Sequence, residues 1–135
     1  MFLKESFRVL KPGGMLRLST PDVKALARAY IDNHESVRLL NERNRQLGYQ
    51  HTCYPVDILN KAFMEDGHVC LYDFETLQQL LDSVGFQDLT LCKVGESSHI
   101  VLSGIERHDV GSIADEFALV IEASKPGLEP PKEST

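Results

Sequence analysis

Two His-x-Cys pairs, His51-x-Cys53 and His68-x-Cys70, are the residues whose types point most directly to chemistry. Imidazole and thiolate both bind zinc, and two such pairs supply the four donors of a tetrahedral site. The spacing argues the other way, because structural zinc sites are built on Cys-x-x-Cys-type pairs and none is present. The alternative is two loop histidines beside two half-buried cysteines, with no metal. A second group, Glu96, His99, Glu106, Arg107 and His108, falls in a polar stretch at 95–111. Such side chains can hold a polar substrate or pass a proton, and a solvated loop with a local ion pair uses the same residue types. No G-x-S-x-G frame surrounds Ser19, Ser97 or Ser98. Cys–His catalysis stays open, since its partners need not be close in sequence. The pair Gly13-Gly14 lacks both nucleotide-binding glycine patterns and comes before a strand rather than after one. No catalytic residue is identified.

Charge narrows the partners. The net charge of −6, with Lys and Arg scattered along the chain, argues against nucleic acid and against an anionic membrane surface. The first eight residues interrupt their apolar members with Lys4, Glu5 and Arg8, unlike a signal peptide. No apolar run approaches the roughly 18 residues of a membrane span. An odd set of three cysteines reads as reduced thiols, so a cytoplasmic α/β domain is expected.

The elements that must position these groups follow from periodicity. Leu3, Ser6, Phe7 and Leu10 fall on one face of a short helix that Pro12 and the glycines end. Residues 15–19 read as a strand with Met15 or Leu16, and Leu18, facing a core. Thr20, Pro21 and Asp22 look like a helix start, Thr20 as cap and Pro21 in the first turn. Val23, Leu26, Ala27, Tyr30 and Ile31 form the stripe of that helix. Residues 34–67 read as an inserted helical segment. It holds a polar helix at 36–47 with Val37, Leu40 and Leu47, then a helix at 55–63 with Val56, Leu59 and Phe63. Asp73 caps the next helix, whose stripe is Leu77, Leu80, Leu81 and Val84 and whose stop is Gly85. Residues 88–94 alternate as a strand. Residues 116–124 hold an unbroken apolar run, the pattern of a central strand covered on both faces. The domain spans 1–125, and 126–135 is a flexible tail.

Phe7-Arg8-Val9-Leu10-Lys11-Pro12-Gly13-Gly14, followed by Leu16-Arg17-Leu18-Ser19-Thr20-Pro21-Asp22, resembles the helix–strand segment in the second half of class I S-adenosylmethionine-dependent methyltransferases. Tyr72-Asp73 and Leu80-Leu81 ahead of Gly85-Phe86 are similar to the penultimate helix of that fold. Gly95-Glu96-Ser97, Gly104-Ile105-Glu106-Arg107-His108 and the run Leu119 through Pro126 resemble the closing segment of an uncharacterised bacterial subgroup. The resemblance implies the C-terminal part of a Rossmann-like fold, a three-stranded mixed sheet of the fifth, seventh and sixth strands, with the last antiparallel and between the other two. It implies S-adenosylmethionine as the family's cofactor. The glycine-rich loop and the acidic strand end that hold it have no counterpart here, so this chain alone is expected neither to bind it nor to act. It implies acceptor-side surface at the end of the first strand, in 34–67 and in the loop after Gly95. The substrate-side candidates are Asp22, His68, Tyr72, Glu96 and Arg107. The strand at 15–19 would keep an open edge, and the helices at 3–10 and 23–31 would lose their partners. The expected completion is a homodimer or a separate N-terminal half. A non-catalytic half-domain that dimerises or binds a ligand is the competing reading.

Overall fold

Gly13, in the left-handed region at φ +75°, turns the chain between its first helix and first strand. The computed structural model describes residues 2–50, 52–64, 69–106 and 113–127. His51, His68, Arg107, His108 and the tail beyond 127 lie outside these described residues. The order is α1 (Phe2–Val9), β1 (Met15–Pro21), α2 (Val23–Ile31), α3 (Glu35–Gln46), α4 (Asp57–Met64), α5 (Phe74–Val84), β2 (Gln87–Cys92) and β3 (Ala118–Ser124). Short 3-10 turns span Ile100–Leu102 and Ile113–Phe117.

The three strands lie in the order β1-β3-β2. Both ladders are antiparallel, so the sheet is not mixed in its pairing. β1 and β2 run the same way but never touch, because β3 lies between them. β3 is buried almost throughout, as its unbroken apolar run requires. Its register with β1 runs from Met15↔Ser124 to Pro21↔Ala118. β2 carries an irregularity between Gln87 and Thr90. Asp88 sits there at φ +52° and accepts a 2.7 Å bond from the Ser124 hydroxyl. A carboxylate that bonds locally tolerates this conformation.

Pleating gives the sheet two unlike faces. Leu16 and Leu18 of β1 share one face with Leu119, Ile121 and Ala123 of β3. Against that face pack Leu77 and Leu81 of α5, Phe86, and the partly buried Leu3 and Phe7 of α1. Phe7 meets Phe86 edge-on with ring centroids 5.0 Å apart. Helix α1 therefore keeps a partner, contrary to expectation, and of its apolar residues only Phe2 and Val9 turn outward. A second cluster joins Leu26 of α2, Val37 and Leu40 of α3, Ile58 and Ala62 of α4, and Phe117 just before β3.

Several boundaries differ from the sequence reading for local reasons. β1 continues through Pro21, so Thr20 is not the cap of α2. Asp22 is, accepting bonds from the Lys24 and Ala25 amides. The stripe of α2 contracts to Leu26 with Ala25 and Ala29, leaving Tyr30 and Ile31 exposed. In α4 the inward residues are Ile58 and Ala62, while Val56 and Phe63 are exposed. Leu47 and Leu80 are also outward. Asp73 and Gly85 cap α5 as read.

Gly85 stands at φ +106°, and a Cβ there would lie 3.2 Å from Phe7 Cζ. Both backbone strain and crowding oppose a side chain. Gly85→Ala is expected to lower stability by about 1–3 kcal/mol in urea unfolding. A stability equal to the parent's would contradict the α1–α5 packing described.

Candidate functional site

The C-terminal end of β1 opens into a cleft of about 400 Å³. Ser19, Thr20 and Pro21 form one side, because β1 stays extended until Asp22 turns it into α2. Helices α3 and α4 form the other. Leu40, Arg43, Asn44 and Leu47 recur at i, i+3, i+4 and i+7 and line it from α3 and its C-terminus. Ile58, Lys61 and Ala62 do so from α4, and Phe117 closes the floor. The Phe117 carbonyl also accepts the Asp22 amide at 2.8 Å, locking the end of β1 to the start of β3. The Lys61 ammonium lies 4.1 Å from the centre of the Tyr49 ring, a cation–π contact at the rim. The described lining includes two cations and no carboxylate.

The other face of the sheet carries a buried ion network. Arg17 Nε donates to Glu106 at 2.6 Å and its Nη1 to Glu122 at 2.5 Å. All three side chains are 3% exposed or less. Arg17 also donates to the Lys93 carbonyl, and Glu106 accepts the Gly95 amide at 2.9 Å. The 95–106 loop is thereby folded onto β1 and β3. The bond from Arg17 holds the Glu106 carboxyl below its usual range, burial opposing it. Burial also pushes Glu122 up, but bonds from Ser97 and Arg17 outweigh it and leave its pKa lowered. The paired carboxylates raise the Arg17 pKa.

Of the substrate-side candidates, Asp22 and Tyr72 come together through an isolated parallel bridge, with the Val23 amide donating to the Tyr72 carbonyl. The Asp22 carboxylate is occupied in capping α2. The Tyr72 phenol accepts a 2.9 Å bond from the Cys70 thiol, which with burial raises its pKa. Glu96 is exposed in the turn after β2, at the same end of the sheet as Asp22. Cys53 and Cys70 are exposed rather than half-buried. Two of the four proposed zinc donors, His51 and His68, are outside the described residues, among which no three potential ligands gather.

The glycine pair offers no cofactor cradle. Gly13 donates its amide to Lys125 O, and a Cβ on Gly14 would lie 2.8 Å from Lys11 O. Both glycines are spent on the α1–β1 turn. Arg43, Lys61 and Tyr49 were missed in sequence reasoning. The usable signal was a cation inside the apolar stripe of each helix, Arg43 between Leu40 and Leu47, and Lys61 between Ile58 and Ala62.

Neither family models, nor curated proteins, nor solved structures give a match to this chain. Among the described residues no helix is long and apolar enough to cross a membrane.

Removing one partner from a buried charge network strands the others, so Arg17→Met is expected to cost about 3–5 kcal/mol in urea unfolding. Glu106 carries a lowered folded pKa. Its stabilisation is therefore complete above the ordinary glutamate value of about 4.3 and is lost as pH falls through the folded value. Glu106→Gln is expected to be less stable at neutral pH, with a shallower loss between about pH 5 and pH 3 than the parent. An unchanged acid slope would contradict the pairing.

Proposed function

We propose that this chain is the acceptor-side portion of a class I S-adenosylmethionine-dependent methyltransferase, working with a cofactor-binding half that its described residues do not supply. The observation that carries the reading is the cleft at the C-terminal end of β1. Ligands of open α/β sheets bind beyond the carboxyl ends of strands, and with β1 as the fifth strand the methyl acceptor sits there. The succession β1-β3-β2, with an antiparallel strand in the middle, supports the same assignment. The chain's role is positional. It holds the acceptor between β1 and the α3–α4 pair, shields it from water, and leaves the methyl donor to the other half.

The test is retention on immobilised S-adenosylhomocysteine. The recombinant chain is expected to pass through. The same chain taken from its native cells is expected to be retained, together with whatever polypeptide completes the fold. Native material that also passes through would contradict the reading.

A second reading, a dimer without catalysis, rests on the outer edge of β1, which pairs with no described strand. An open edge favours addition of another strand. Light scattering at micromolar concentration distinguishes the two: a dimeric mass for the recombinant chain supports this second reading, and a monomeric mass contradicts it.

A further inference from the structure

The chain carries 20 acidic and 14 basic residues, yet its cleft concentrates cations. Three other surface arginines sit beside carboxylates, while Arg28 on the exposed side of α2 does not. Arg8 pairs with Glu5, Arg38 with Glu35 and Arg45 with Glu42. Arg43 stands on the same helix as Arg38 and Arg45 but faces the cleft, and its guanidinium has no ion-pair or hydrogen-bond partner among the described residues. It is half-buried, flanked by Leu40 and Leu47. Across the cleft Lys61 is held against Tyr49. Behind these cations the walls are apolar, formed by Leu26, Ile58, Ala62 and Phe117, three of them helix residues of one continuous core cluster. Ser19 and Thr20 supply small polar groups at the opposite wall.

We infer that the cleft binds a small organic anion, a carboxylate or phosphate monoester on a flat apolar body. The anionic end meets the Arg43 fork, and the apolar body rests on Phe117 and Ile58. A guanidinium presents paired donors that match two oxygens of one anion, and such charge-assisted bonds are the stronger kind. A volume of about 400 Å³ lies at the small end of ligand sites, which run from roughly 300 to 1,000 Å³. An acidic protein repels anions at long range, so the unpaired Arg43 selects an anion by position rather than by overall attraction. As the identity of the methyl acceptor, the inference rests on the function proposed above. As a statement of what the cleft binds, it does not need the cofactor half, and its test is separate from retention on the resin.

The experiment titrates benzoate, and separately its neutral isostere benzamide, into the ¹⁵N-labelled chain and follows amide shifts. Benzoate is expected to saturate with a Kd on the order of 1–10 mM, as befits so small a ligand. The shifts are expected to gather at residues 43–44, 61–62 and 117–118, and benzamide is expected to bind at least about fivefold more weakly. Arg43→Gln is expected to weaken benzoate by a similar factor and leave benzamide unchanged, and Arg43→Lys to restore part of the loss. Equal affinity for the two probes, shifts centred elsewhere, or an unaltered benzoate affinity in Arg43→Gln would each overturn the inference. The comparison of probes on the parent chain decides the matter even if a variant misfolds.

Discussion

Glu122 places a carboxylate in the middle of the central strand, 2% exposed, where an unpaired charge would be costly. Arg17, its register partner on β1, answers it, and Glu106 completes the network from a loop far along the chain. A buried network of this kind adds little net stability over apolar packing. Its effect here is on register. A slip of one residue between β1 and β3 would turn Arg17 to the other face and set Leu16 or Leu18 against Glu122. The register so held sets Pro21 opposite Ala118 and brings Asp22 to the Phe117 carbonyl. Those contacts decide where β1 ends, and the cleft begins there.

From that point the geometry of the site is a consequence of helix packing. Asp22 caps α2, which carries Leu26 into the core shared with Val37, Leu40, Ile58 and Ala62. The side chains next to these inward residues on α3 and α4 are Arg43 and Lys61, and burial of their neighbours fixes the direction in which both point. Arg43 is thus positioned by apolar packing, not by ion pairing with the described residues. A site held in this way is preorganised for a ligand. Lys24 makes a comparable tie outside the cleft, bridging Asp73 and Glu75 at the start of α5 and linking α2 to the other core.

How much was legible in the sequence depends on how local the cause was. Asp73 and Gly85 act within one helical turn, and both ends of α5 could be read from them. The apolar run in β3 spoke plainly for a covered central strand. The end of β1 could not be read, because Thr20-Pro21 suits a helix start and only the long-range pairing with Leu119 and Ala118 keeps it extended. The face of α4 was misassigned because Val56 and Phe63 compete with Ile58 and Ala62 in hydrophobicity, and only contact with α2 and α3 decides between them. Of the polar loop cluster, Glu106 turned out to be a structural anion. Its partner lies 89 residues away, beyond any spacing argument. The candidate site itself was legible in place, at the end of β1 and the helical segment, but not in its residues.

The function proposed above requires β1 to pair on its outer side with a strand of the completing half, since no described strand pairs there. Native-state hydrogen exchange reads that most directly. In β1, alternate amides point away from β3. They are expected to exchange fast in the recombinant chain at low concentration and to slow by about tenfold or more in the protein isolated from its native cells. Equally fast exchange in both preparations would contradict it.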